Sequence, residues 1–258
     1  MNLSPAAFRD RVFAAVLPVL QADESVRACW EGGSVAMHRA DAFSDIDLYV
    51  VADPARHQPV LDAFEHALAS AAPLAHVWRV EPPGYPGVSQ RIYLLQDAPR
   101  FFAVDCALVT ADGAIQFLER ERHGEPRVLF DRDALIGVPA LDQARHAERM
   151  RQRLAQIRAS WPVYLTIVEK ELARGRSLDA IGFYFGGLLR PLVELVGMHH
   201  RAARFDYGWR YLHQDLPAAL QRRLERFAYV SDADELRTHL PEIDRMARAL
   251  FAELDKPM

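Results

Sequence analysis

The chain has 258 residues, half of them hydrophobic and 26% charged, with a formal net charge of −4. That length sits between one domain and two, and the composition is ordinary for a globular protein able to build a sizeable core. The mildly acidic balance excludes a global basic footprint for nucleic acid or an anionic membrane surface, and it suits a cationic small molecule better.

Residues 5–22 open the chain with helical periodicity, since Phe8, Val12, Val16 and Leu20 recur at four-residue intervals. Arg9, Asp10 and Arg11 interrupt the apolar character there, so the segment does not read as a signal peptide. A short apolar run, Val26 to Trp30, meets Gly32-Gly33-Ser34, and after a polar loop Asp45 to Val51 reads as a strand rich in β-branched and aromatic residues. A helix is expected over 57–72. Strands are expected at Ala75 to Val80, Arg91 to Leu95 and Phe101 to Val109, the first two separated by the turn-rich Pro82 to Gly87.

Near Leu141 the chain becomes rich in Arg, Leu, Ala and Glu, with helical spacing over 142–174, 178–199, 217–228 and 233–254. Asp131-Arg-Asp and Gly137-Val-Pro139 mark the hinge before it. The expected fold class is therefore α/β: a mixed sheet flanked by helices in residues 1–140, then an antiparallel helical bundle in 141–258. The apolar stretch Leu178 to Val196 carries Asp179, Arg190 and Glu194, which argues against a membrane span. Cys29 and Cys106 have neither zinc nor redox-pair spacing and read as buried free thiols of a cytoplasmic protein.

The informative stretch runs from Glu31 to Val50. Asp45 and Asp47 are two apart on a strand, so their carboxylates share a face while Ile46 and Leu48 point the other way. Two like charges on one sheet face repel, and a divalent cation resolves the conflict; oxygen-only donors favour magnesium or manganese over zinc. Upstream, Gly32 and Gly33 allow close backbone approach to a phosphate, and Ser34 adds a hydroxyl beside main-chain N–H groups. A phosphate cradle facing a carboxylate pair supplies the positioning and charge neutralisation that nucleotidyl transfer requires.

The run Gly32-Gly33-Ser34 … Ser44-Asp45-Ile46-Asp47 resembles the signature of the DNA polymerase beta superfamily of nucleotidyltransferases, and within it the small antibiotic nucleotidyltransferases that modify aminoglycosides or lincosamides. The resemblance covers roughly the first 110 residues by motif. It implies a third carboxylate on a neighbouring strand, a role open to Asp105, the one charged residue in Phe101 to Val109. By this resemblance Asp45, Asp47 and Asp105 hold Mg²⁺ or Mn²⁺ and carry catalysis, with Asp105 as base or shared ligand. Gly33 and Ser34 touch the triphosphate of an NTP, ATP first among them. His38 and Arg39 stand where the family often carries a glycine, and Arg39 offers a further phosphate contact. Ser44 is a turn or cap residue and a further candidate contact in the nucleotide site. The implied acceptor is a hydroxyl of a small molecule bound with the help of the helical half, with no role for a membrane or nucleic acid, and a homodimer stays open.

Two rivals share the fold: an antitoxin-like enzyme that adenylylates a protein, and an inactive nucleotide-binding regulator. In the helical half, Glu169, Glu171, Arg190 and Glu194 read as solvated or intrahelical ion-paired residues ahead of a ligand role. Gly182, Gly186 and Gly187 read as helix-packing positions, and Tyr207, Trp209 and Tyr211 as residues docking a loop or forming an aromatic platform.

Overall fold

The computed structural model describes residues 3–256 and divides the chain into two compact units, Met1–Leu141 and Asp142–Met258. Unit 1 begins with α1 (Pro5–Ala22), started by Ser4, whose side chain accepts the Ala7 N–H, and by Pro5 in the first turn. The four-residue stripe Phe8, Val12, Val16 and Leu20 is its buried face. Then follow β1 (Ala28–Glu31), the one-turn helix α2 (Gly33–Ala36), β2 (Ile46–Val51), α3 (His57–Ala71), β3 (Leu74–Arg79), β4 (Ser89–Leu95) and β5 (Ala103–Val109). Two short helices, α4 (Ala111–Ala114) and α5 (Arg120–His123), lead to β6 (Arg127–Asp131).

The strands form one mixed sheet in the order β3-β4-β5-β2-β1-β6. β2 and β5 pair in parallel, and their neighbours pair antiparallel on either side. Because successive side chains alternate across a strand, Ile46, Leu48 and Val50 of β2 face the same way as Val104, Cys106 and Leu108 of β5. These close a core with Phe8, Val12 and Val16 of α1 and Val60, Phe64 and Leu68 of α3. Trp30, Val51, Ala107 and Val109 face the opposite way, toward Ala114 and Leu118, and Trp30 stacks on Tyr49 with ring centroids 5.1 Å apart. Both cysteines are buried and free.

The strand β6 was not among the expected elements. It is a five-residue edge strand beside β1, too short to develop a readable alternation. Asp131, read as part of a hinge, ends this strand, and its carboxylate accepts the N–H groups of Leu135 (2.9 Å) and Ile136 (2.8 Å).

Unit 2 contains α6 (Gln143–Ala173), α7 (Ser177–Tyr184), a π-helical turn (Phe185–Leu189), α8 (Arg190–His200), α9 (Leu212–Asp215), α10 (Ala218–Ala228) and α11 (Ala233–Leu254). Asp142 and Asp232 cap α6 and α11 through their carboxylates. The stretch Ser177–His200 is long and apolar enough to cross a membrane. Its Leu188, Leu189, Leu192, Val193, Leu195 and Val196 are fully buried in this unit's own core with Trp161, Phe227 and Ile243. Gly187 is a packing glycine, since a Cβ there would collide with the Tyr164 ring; Gly182 and Gly186 meet nothing within 4 Å and carry no packing role. Glu194 is bound by Arg153 of α6 at 2.5 and 3.0 Å, a link between helices, and it also lies 4.0 Å from Arg190 one turn earlier on its own helix. Glu171 is buried and paired to Arg174 at 3.0 Å.

Candidate active site

The parallel pairing of β2 with β5 places Asp47 directly opposite Asp105. Both side chains are half-buried on the sheet face away from α1 and α3, and both line one small open pocket with Tyr49, Gln90 and Ala107. Asp45 precedes the first residue of β2. Its Oδ1 accepts the Ala103 N–H at 2.9 Å, extending the β2–β5 pairing by a side chain. Its carbonyl accepts Arg9 Nη1 at 2.8 Å. Desolvation pushes the Asp45 carboxyl above the usual carboxylate range, with the Ala103 N–H and the Arg9 charge pulling the other way.

The turn after β1 lies against this carboxylate row. The Gly32 N–H donates to the Asp47 carbonyl at 2.9 Å. Gly33 has φ +54°, and a Cβ built on it would collide with the Asp47 carboxylate. Glycine is required there twice over, by backbone conformation and by the approach of Asp47. The Ser34 carbonyl accepts the Arg39 N–H at 2.8 Å, and both residues are half-buried. Ser44 serves the loop between the turn and β2: its hydroxyl accepts the Asp41 N–H at 2.8 Å and donates to Asp41 Oδ1 at 3.1 Å.

Three residues outside the motif hold this arrangement. Gln90 on β4 donates its side-chain amide to both Asp105 oxygens, at 2.8 and 2.7 Å. Glu31, the last residue of β1, has no exposed side-chain surface and is paired to Arg9 and, at 3.3 Å, to Arg127. Arg9 thereby ties α1 to β1 and to the start of β2. In the sequence Arg9 shows only as a break in an apolar segment, and Gln90 falls just before the strand expected from Arg91. Their roles exist only once the strand order is known.

The fit of this row to a divalent cation rests on its donors. Among the described residues no group of three His, Cys, Asp or Glu side chains is placed to hold an ion as it stands. Asp45 stands apart from the in-register pair, with its carboxylate turned to the Ala103 N–H, while Asp105 is engaged by the Gln90 amide. What does fit is the in-register pair Asp47 and Asp105, two hard oxygen donors on one face, because magnesium is commonly held by one or two carboxylates with water and phosphate completing the shell.

No family model and no curated protein matches this chain. Among solved structures it is similar to an aminoglycoside 6-adenyltransferase from Bacillus subtilis, at 16% identity and a TM-score of 0.39, over 94% of this chain and 87% of that one.

Proposed function

We propose that this protein transfers a nucleoside monophosphate, AMP from ATP being the first donor to test, to a hydroxyl of a small-molecule acceptor and releases pyrophosphate. The observation that carries the reading is the direct opposition of Asp47 and Asp105 on parallel strands, with the Gly33 backbone laid against Asp47. A magnesium or manganese ion held by Asp47 and Asp105, with Asp45 as a further donor, would supply charge neutralisation for the triphosphate.

The chain's own residues then have distinct tasks. The Gly32–Ser34 turn and Arg39 would orient the β- and γ-phosphates through main-chain N–H groups and a guanidinium. The acceptor oxygen would form its bond to the α-phosphorus as the bond to the bridging oxygen breaks, and pyrophosphate would carry away that electron pair. Asp105 would take the hydroxyl proton, with Gln90 holding its carboxylate in place.

The test is incubation with each α-labelled NTP, magnesium and a panel of hydroxylated small molecules, aminoglycosides and lincosamides included. Expected are release of pyrophosphate and label on one acceptor, both lost in Asp47→Asn. Label on protein instead would replace the acceptor class, and nucleotide affinity unchanged by excess chelator would remove the metal-assisted reading.

A further inference from the structure

Two large aromatic rings stand in the open at the start of the same strand pair. Phe43 is 68% exposed and Phe101 is 63% exposed, with ring centroids 6.2 Å apart and planes tilted by 53°. Each lies two residues ahead of a member of the Ala103–Asp45 hydrogen bond, so the rings flank the Asp45 end of the carboxylate row. Neither position is slack. The Phe43 N–H is held by Asp41 Oδ1 at 2.9 Å, inside the turn that Ser44 closes. Phe101 sits at φ +72°, a conformation that costs a bulky residue energy. The Arg100 guanidinium lies 4.6 Å from the Phe101 ring centroid. An exposed aromatic pair on braced and strained backbone adds nothing to the core, which points to a ligand with a flat face.

The layout along β2 selects that ligand. Gly33 lies against Asp47, and Gly32 lies against Tyr49, where a Cβ would come within 2.8 Å of the ring. The turn assigned to the phosphates thus sits at the level of Asp47, and the two phenylalanines precede the first residues of β2 and β5. A nucleotide whose phosphates occupy the turn and whose α-phosphate lies by the carboxylates has its nucleoside directed toward Phe43 and Phe101. We infer that Phe43 and Phe101, with Arg100 at their margin, form the stacking site for the base of the nucleoside triphosphate. The inference rests on the nucleotidyl-transfer reading above and adds to it the residues that bind the base. Stacking uses the π-face that every base has, so this site grips purines and pyrimidines alike, with purines favoured by their larger face.

The experiment compares ATP with inorganic tripolyphosphate, each titrated calorimetrically with magnesium into the full chain, for wild type, Phe43→Ala, Phe101→Ala, the double variant and Phe101→Trp. Loss of one stacking partner is expected to weaken ATP about tenfold, the scale of base–aromatic stacking. Tripolyphosphate affinity and melting temperature should stay at wild-type values, and Phe101→Trp should retain or improve ATP binding. A fluorescent ethenoadenosine triphosphate should be quenched and shielded from acrylamide by wild type and not by the double variant. Wild-type ATP affinity in the double variant overturns the inference while leaving nucleotidyl transfer standing. Equal loss of tripolyphosphate overturns it too, since the rings would then shape the phosphate site. A wild-type chain that binds neither ligand removes this inference and the nucleotidyl-transfer reading together.

Discussion

Gly33 and Asp47 constrain each other at the scale of single residues. The turn at Gly33 uses a left-handed backbone conformation and leaves no room for a Cβ beside the Asp47 carboxylate. For Gly33→Ala we expect melting to drop by about 5 °C or more, since a left-handed non-glycine residue costs roughly 1–2 kcal/mol before any displacement of Asp47. Nucleotide binding should be lost with it; a variant with unchanged melting and binding would show that the two residues do not meet. Asp105 carries a different test. In Asp105→Asn the shape persists and one oxygen still accepts the Gln90 amide, so melting should stay close to wild type. Pyrophosphate release should fall by roughly a hundredfold or more, the scale of general-base losses. A stable variant with unchanged turnover would take Asp105 out of the mechanism. The motif residues were legible in the sequence because a G-G-S turn and an alternating pair of aspartates are local patterns. Gln90 was not, because its only distinction is to lie beside Asp105 on a strand 15 positions earlier.

At the scale of elements, two side-chain networks hold the site-bearing strands. Glu31 is fully buried, and Arg9 from α1 is its better-shielded partner; Arg127 lies 58% exposed. Arg9→Leu leaves a buried carboxylate short of a countercharge and frees the Asp45 carbonyl, and a loss of about 3 kcal/mol is expected in denaturant unfolding. A loss under 1 kcal/mol would mean that Glu31 relaxes to water. His57 opens α3 and joins Ser89 (2.9 Å) at the start of β4 to the Ala52 carbonyl (3.2 Å) just after β2. Burial lowers its pKa below 6.5, against the Ala52 hydrogen bond and the Asp53 charge, so it stays neutral in the folded chain at pH values where the unfolded chain is already protonated. The unfolded state binds more protons in that window, so the contribution of His57 to stability is full above pH 6.5 and falls as pH drops toward the folded pKa. His57→Gln should flatten the decline in melting temperature between pH 7.5 and 5.5, and an unaltered slope would assign that decline to other groups. The helices and the longer strands were readable because their periodicity is carried by many residues. β6 was not, because a short edge strand is defined by the neighbour it pairs with.

For the whole molecule, each unit has its own core, and that of residues 142–258 contains Trp161, Tyr184, Phe227 and the buried leucines of the Ser177–His200 stretch. Tyr184 donates to the Phe227 carbonyl at 2.9 Å and Trp161 to Asp244 Oδ1 at 3.0 Å, so its largest polar aromatics are satisfied internally. Expressed alone, residues 142–258 should give a helical circular dichroism spectrum and a cooperative melt; a non-cooperative melt would show that this core is incomplete without residues 1–141. The sequence by itself determined the class of fold, a sheet with flanking helices followed by a helical half, because apolar spacing at period two or near four is a local property of the chain. It also singled out Asp45, Asp47, Asp105 and the Gly33 turn as candidates, of which the structure sets Asp47 opposite Asp105 and Gly33 against Asp47. Only the tertiary structure decided that β5 is the parallel neighbour of β2, which sets Asp105 opposite Asp47. It also decided that Gln90 and Ala103 engage the flanking carboxylates and that Phe43 and Phe101 come to stand side by side. Strand order and register are long-range choices, made by which faces bury together, and no local pattern encodes them.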